Sequence, residues 1–331
     1  MIEVRGLTKI YDGLRAVQNL NFNVQAGDIF GFIGPNGAGK TTTIRILATL
    51  ILPSSGEAWI GGQDVVKRPE AVREVMGYMP DHWGVYPDLR VREYLEFFAA
   101  SYGIPRRERA RAVEGVMELT DLGGLSDRLA GALSKGMRQR LCLAKTLIHD
   151  PQLLILDEPA DGLDPRARIE LRELLRELAR MGKTVLISSH ILTELSDLVT
   201  SVGIVERGEL LMSGPVDEIV ARLAGAPAAA ALSNDSDEEI ALHSAEPAQR
   251  FRLRTSAGTH ELAHELLLAR PDVEARVLGE DELLLSFPGQ EEDVAPLVKY
   301  LAVGGVAVLG LERLRADLET VFMAVTKGRV Q

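Results

Sequence analysis

The sequence predicts an α/β fold with a mostly parallel sheet, followed by a smaller α+β domain. In the first part of the 331 residues, short β-rich runs such as "DIFGFIG", "LLILDEP" and "TVLISS" alternate with amphipathic helices. Such alternation is typical of a parallel sheet covered by helices. The last part follows the order β-α-β-β-α-β, the split βαβ or ferredoxin-like pattern. We therefore expect two folded domains of different class.

Composition marks the boundary between the two predicted domains. The stretch "LAGAPAAAALSNDSDEE", which starts at Leu223, is rich in Ala, Ser and acidic residues and has no hydrophobic period. Such a composition is typical of a linker. We assign residues 1–222 to the first domain, 223–249 to the linker and 250–331 to a C-terminal accessory domain.

Local signals predict the individual elements. In "PRARIELRELLRELARMG", Asp164 suits the N-cap of a helix, Pro165 its first turn and Gly182 its end, and the leucines share one face. In the second domain the predicted strands are "FRLRTS", the hairpin "VEARVLGEDELLLSF" and "VAVLGLERL". The predicted helices are "HELAHELLLAR", "EEDVAPLVKYLAVGG" and a closing "LETVFMAVTKG".

Charge and hydropathy exclude several classes of protein. Lys and Arg total 37 and Asp and Glu total 48, so the formal net charge is −11. This sign opposes binding through nucleic-acid phosphates, and no nucleic-acid partner is expected. No apolar run reaches the roughly 18 residues of a membrane-spanning helix, and the start of the chain lacks a signal peptide, so we expect a cytoplasmic protein. The single cysteine, Cys142, is expected to be a buried small hydrophobe.

A glycine-rich loop carries the strongest chemical signal. "GPNGAGKTT" matches the pattern G-x-x-x-x-G-K-[ST], with a strand-like run before it and a helix-like run after it. In this context backbone N–H groups turn toward nucleotide phosphates, Lys40 reaches the terminal phosphates and the Thr41 hydroxyl binds Mg²⁺. The predicted nucleotide-binding residues are Gly34, Pro35, Asn36, Gly37, Ala38, Gly39, Lys40, Thr41 and Thr42.

Two carboxylates follow a second apolar strand, "LLILDE". Asp157 is a candidate Mg²⁺ ligand, and Glu158 is the candidate general base that polarises an attacking water. An acidic pair at the end of a strand is often only a solvated loop. Together with the phosphate loop, it indicates an ATPase or a GTPase.

A third motif decides between the branches of that class. "LSKGMRQR" places Ser134 and Gly136 at the start of a helix, where free N–H groups favour an anion, although Ser134 could be an N-cap and nothing more. At this place the sequence resembles the ATP-binding-cassette family, whose signature there is LSGGQ. The resemblance extends over roughly residues 2–221 and several separate motifs.

The resemblance implies an ATP-binding cassette with a helical subdomain, and ATP and Mg²⁺ as cofactors. In that family two cassettes pack head to tail, so Ser134 and Gly136 would serve the nucleotide of a second copy, and "ADGLD" resembles the D-loop at the dimer seam. His190 resembles the switch histidine that contacts the γ-phosphate. Tyr11 resembles the aromatic residue that stacks on adenine; its alternative is a simple strand residue.

Three positions depart from the pattern of the family: Asp81, Lys135 and Met137, the last of which replaces the glutamine of the signature. Asp81 stands where glutamine usually contacts Mg²⁺ and the attacking water, and we predict a catalytic and metal-binding role for it. A shorter, charged side chain there either binds the metal more directly or fails to reach it. Lys135 replaces the first glycine of the signature; it either adds an electrostatic contact at the dimer seam or is simply solvated.

Four aromatic residues, Tyr94, Phe97, Phe98 and Tyr102, are spaced to share much of one side of the helix in "VREYLEFFAASYG". We expect most of them to lie in the core of the helical subdomain. The remainder, with His82 and Trp83, would form a groove for a short helix of a membrane subunit.

The resemblance favours one function over two alternatives. The expected function is that of an ATP-hydrolysing transporter subunit, dimeric with ATP and held on the inner face of the membrane by a separately encoded permease. The ending "LERLRADLETVFMAVTKG" resembles the extension of ABC-2 type exporter ATPases. The alternatives are a ribosome- or nucleic-acid-associated ATPase and a resistance protein that sequesters a drug.

Overall fold

The computed structural model describes residues 1–82, 84–191, 195, 197–219, 249–256, 258–270, 273–279, 281–287 and 294–314. These form two compact units, Met1–Val216 and a second unit within residues 217–325. Trp83, most of the predicted linker and the predicted closing helix lie outside the described residues, so the domain boundaries stay a prediction.

A six-stranded sheet forms the centre of the first unit, and five of its strands are parallel, as the alternating pattern predicted. Its strand order is β10-β9-β3-β8-β7-β6. Because the parallel strands are covered on both faces, they read as continuous apolar runs. The strands are β3 (Ile29–Ile33), β6 (Met76–Met79), β7 (Leu153–Leu156), β8 (Thr184–Ser189), β9 (Ser201–Glu206) and the antiparallel β10 (Glu209–Pro215).

A second, antiparallel sheet of order β2-β1-β4-β5 packs into the same hydrophobic core, and the sequence reading did not identify it. Strand β2 alternates buried and exposed residues, which is the period of a strand with one solvated face. The strands are β1 (Ile2–Tyr11), β2 (Leu14–Val24), β4 (Ser55–Ile60) and β5 (Gln63–Asp64).

Two helices of this unit start at the N-cap residues that the sequence indicated. Ser134 and Asp164 are N-caps whose side chains accept hydrogen bonds from the backbone N–H groups of Met137 and Ala167. Helices α3, α4 and α5 pack on one another as a helical subdomain. The helices are α1 (Lys40–Leu47), α2 (Pro69–Val75), α3 (Val91–Ser101), α4 (Arg106–Leu119), α5 (Lys135–Leu147) and α6 (Pro165–Arg180).

The expectation that most aromatic residues of α3 lie in the core is wrong. Tyr94 is buried, but Phe97 is 49% and Tyr102 is 44% exposed. The reason is that α4 and α5 cover only one stripe of α3, while the aromatic positions spread around more of its circumference. Cys142 on α5 is buried as expected, and burial raises the pKa of its thiol.

The described part of the second unit has the predicted order β-α-β-β-α-β. Its antiparallel sheet has the order β12-β13-β11-β14, which is that of a ferredoxin-like fold, and leucines of the strands and helices form its core. The elements are β11 (Gln249–Thr255), α7 (His260–Leu268), β12 (Glu274–Gly279), β13 (Glu282–Phe287), α8 (Val294–Val303) and β14 (Val308–Leu314).

Candidate active site

The phosphate loop connects β3 to α1, as its sequence context predicted. Gly37 and Gly39 have φ angles of 80° and 97°, which favour glycine because a side chain there is strained. A Cβ on Gly39 would also collide with the carbonyl oxygen of Ala16 on β2. The backbone of the loop is therefore held in the curved conformation in which N–H groups of such loops bind phosphate oxygens.

Lys40, the first residue of α1, is only 5% exposed. Its ammonium donates a hydrogen bond of 2.7 Å to the carbonyl oxygen of Gly34 and lies 3.1 Å from Oε1 of Glu158. A buried ammonium needs such partners, because an unpaired charge in the interior is costly. These contacts place the lysine between the phosphate loop and the end of β7.

Asp157 follows β7 and is 1% exposed. Its Oδ1 accepts hydrogen bonds from Ser188 Oγ at 2.7 Å and from Thr41 Oγ1 at 3.3 Å, whereas its Oδ2 is buried without any hydrogen-bond partner. Burial raises the pKa of this carboxyl, while the two hydroxyl hydrogen bonds act in the opposite direction. A buried carboxylate oxygen without a partner, beside a threonine hydroxyl, fits a divalent cation.

Within the described residues there is no cluster of three or more His, Cys, Asp or Glu side chains that would form a metal cage. The Asp157 carboxylate and the Thr41 hydroxyl suit Mg²⁺. This ion typically binds one or two carboxylates and completes its shell with water and substrate phosphates.

Glu158 connects three parts of the site and has a backbone φ of 48°, which is uncommon for a residue other than glycine. Its N–H donates to Ser188 Oγ at 2.8 Å, which fixes this conformation. Its Oε2 lies 2.9 Å from Nδ1 of His190, just after β8. With Lys40 on the other oxygen, the carboxylate is held between a cation and an imidazole.

Ser188 is a site residue that the sequence reading missed. Its hydroxyl bonds both to the carboxylate of Asp157 and to the backbone of Glu158, so it orients both acidic residues. The only signal was the pair of serines that ends the apolar run "TVLISS". A hydroxyl at the end of a buried strand needs a partner, and the neighbouring strand β7 supplies it.

Tyr11 and Asp81 are less closely connected to this centre. Tyr11 ends β1 and is 41% exposed, with the ammonium of Lys9 at 5.0 Å from its ring centroid. Asp81 pairs with His82 at 2.8 Å and lines a cavity that also reaches Glu158. The described contacts do not bring its carboxylate against Thr41 or Asp157.

Ser134 and Gly136 line a different cavity, of about 520 Å³, formed by α5 and the start of α6. Residues 34–42 do not line it. Gly162, in the predicted D-loop, lies against Lys135, since a Cβ added to it would collide with the lysine ammonium. Within one chain the signature and the phosphate loop are therefore separate surfaces.

Comparison with known proteins agrees with this arrangement. Residues 17–161 match the family model described as ABC transporter. The chain is 43% identical over 223 residues to the bacitracin transport ATP-binding protein BcrA of Bacillus licheniformis, covering 67% of this chain and 72% of that protein. It is 34% identical over 299 residues to the Nod factor export ATP-binding protein I of Burkholderia pseudomallei, covering 88% of this chain and 95% of that protein.

A solved structure supports the same conclusion. The ATP-binding subunit of an ABC transporter superposes with a TM-score of 0.62 and 30% identity, covering 67% of this chain and 93% of that one. The cassette fold, the phosphate loop with its acidic strand and the sequence relatives point the same way. The chain therefore belongs to the ABC transporter family, as an ATP-binding and ATP-hydrolysing subunit.

Proposed function

We propose that this chain powers an ABC-2 type exporter by hydrolysing MgATP and that a separately encoded permease carries the cargo. The observation that carries the proposal is the convergence of Lys40, Asp157, Glu158 and His190 on one edge of the parallel sheet. The relatives support export, since their names specify bacitracin transport and Nod factor export.

The proposed roles follow from the contacts of each side chain. Lys40 would exchange its contact with Glu158 for the terminal phosphates of ATP, which frees that carboxylate to accept a proton from the attacking water. His190, bonded to Glu158, would hold the base and face the γ-phosphate. Tyr11, which is 41% exposed, would stack on adenine.

Mg²⁺ would be held by the Thr41 hydroxyl and the Asp157 carboxylate, and Asp81 would approach it from the adjoining loop. Bound there, the cation would neutralise charge on the β- and γ-phosphates. The protein's part is to present a buried carboxylate oxygen that has no competing partner.

We further propose a head-to-tail dimer in which Ser134 and Gly136 of one copy close over the nucleotide on the phosphate loop of the other. The separation of these two surfaces within one chain supports this arrangement.

None of the helices in the described ranges is both long and apolar enough to cross a bilayer. Membrane attachment on the cytoplasmic face would therefore come from the permease.

The test is co-purification from the native host. The chain is tagged, extracted in mild detergent with ATP, and its partners are identified by mass spectrometry, with Lys40→Ala as the matched variant that weakens nucleotide binding. We expect a polytopic membrane protein in near-equal amount with the unaltered chain. Recovery of soluble chain alone, of ribosomes or of a bound drug would contradict the exporter proposal.

A further inference from the structure

The cavity that Asp81 and Glu158 both line has a volume of about 660 Å³, and no residue of the phosphate loop lines it. Its walls are the first turns of α5, the loop that holds Asp81 and the segment from Glu158 to Asp161. One end of it therefore contacts the candidate general base, where hydrolysis would liberate phosphate. The cavity therefore lies where the phosphate product of ATP hydrolysis would first be released.

One face of α5 presents anion-binding groups to this cavity. Lys135, Arg138 and Gln139 follow the spacing i, i+3 and i+4, so they lie side by side on the helix. Ser134 and Gly136 line the other cavity, and Lys135 lines both cavities, so Arg138 and Gln139 are the groups of this face that are separate from the signature contact. The free N–H groups at the start of the helix add partial positive charge.

Gln139 is the second, independent indication of a ligand. It is only 5% exposed, yet its side chain makes no hydrogen bond to any residue in the described ranges. Gln139 lines the cavity, so its amide is left without a protein partner at a place that a ligand can reach. An oxyanion in the cavity would satisfy it, since the amide can donate to one phosphate oxygen and accept from a protonated one.

The cavity is lined by three carboxylates, Asp81, Glu158 and Asp161, and by two cations, Lys135 and Arg138. Neither cation forms an ion pair with a described carboxylate. The α5 end of the cavity therefore offers two cations that an anion can pair with.

We propose that the face formed by Lys135, Arg138 and Gln139 binds orthophosphate as it leaves Glu158. This inference rests on the proposed hydrolysis at that residue and assigns the release path of its product. The guanidinium of Arg138 suits a tetrahedral oxyanion because it presents a planar fork of donors, and Lys135 adds a mobile point charge. The phosphate loop remains occupied by ADP during this step.

The test measures binding of radiolabelled orthophosphate by equilibrium dialysis to the full chain saturated with MgADP, so that the phosphate loop is filled. Arg138→Gln should weaken binding roughly tenfold, the size of one lost charge-assisted hydrogen bond. Gln139→Leu, of similar shape, should also weaken it. Arg107→Gln on α4, which removes the same charge from a surface outside the cavity, should bind phosphate like the unaltered chain.

Equal phosphate affinity in Arg138→Gln and Arg107→Gln would overturn the proposal. Competition between orthophosphate and nucleotide would also overturn it, because the anion would then occupy the phosphate loop. Binding is measured without turnover, so it is separable from hydrolysis. A chain that binds phosphate through Arg138 but hydrolyses no ATP would support this site and contradict the proposed function.

Discussion

At the scale of single residues, Glu158 carries the sharpest prediction. Replacing Glu158 with Gln should lower steady-state ATP turnover by roughly 10² to 10⁴, because the amide cannot accept the proton of the attacking water. ATP binding should persist, since Lys40 keeps its anchor on the carbonyl oxygen of Gly34. Phosphate release measures the first quantity and nucleotide titration measures the second.

The matched control for this change is Glu108→Gln, an exposed glutamate in the first turn of α4. It removes the same charge without touching the site and should leave turnover unchanged. Near-normal turnover in Glu158→Gln would assign the base to another residue. Loss of ATP binding would instead mean that the pair with Lys40 is needed to shape the loop.

Asp81 leads to a second prediction at this scale. Its carboxylate pairs with His82 in the loop that precedes α3 and makes no described contact with Lys40. Asp81→Asn should therefore reduce transport by the reconstituted complex more than it reduces nucleotide affinity. Unchanged affinity together with unchanged transport would show that the residue has no role in coupling.

The motifs predicted the chemical residues of the site but not the connections between them. Lys40, Asp157 and Glu158 were evident because each motif is contiguous. The role of Ser188 was not, because its two partners lie about thirty positions earlier in the chain and reach it only through the pairing of β7 with β8. Sheet order is a long-range property that no local spacing encodes.

At the scale of elements, His149, two residues after the end of α5, links this helix to strand β6 through a hydrogen bond of its imidazole. Nε2 of His149 donates to the carbonyl oxygen of Met76 on β6 at 3.1 Å, its Nδ1 is buried without a partner, and its ring stacks on Tyr102. Burial is the main cause that lowers the pKa of His149. The folded state therefore holds this imidazole neutral.

The pH dependence follows from that direction. Above the unfolded pKa of about 6.5, both states are neutral and the group adds no slope. Below it, the unfolded chain takes up a proton that folded His149 resists, so stability falls as the pH drops. His149→Phe, which keeps a flat ring on Tyr102, should lose stability less steeply over this range in thermal unfolding.

An identical slope in the His149→Phe variant would show that this imidazole does not titrate differently in the two states.

Strands and helices with a clear hydrophobic pattern could be predicted from the sequence. Elements in which polar residues interrupt that pattern could not. The parallel strands were evident as apolar runs, and α6 by its cap and leucine face. The antiparallel sheet was missed because strand β2 is broken by polar residues on its solvated face. The prediction that most aromatic residues of α3 are buried failed because sequence spacing shows which residues share a helix face. It does not show how much of that face the neighbouring helices α4 and α5 cover.

At the scale of the whole molecule, the proposed dimer would build each active site from two copies. Lys40→Ala removes a phosphate-loop contact. Gly136→Asp puts a negative charge on the signature surface, and its Cβ has room because the nearest neighbour, Ala167, is 3.7 Å away. Each variant alone should be nearly inactive. Mixed in equal amounts, they should recover roughly a quarter of the wild-type activity, since half the dimers are mixed and each has one intact site.

The control mixture pairs Lys40→Ala with Asp157→Asn, two changes on the same side of the site. In a head-to-tail dimer every site then contains one damaged residue, so mixing should recover nothing. Steady-state phosphate release from subunits mixed before ATP is added measures both cases. Failure of the first mixture, with subunit exchange shown by mass spectrometry, would place the signature and the phosphate loop of each working site in the same chain. Only a site that spans two copies lets two inactive variants repair each other.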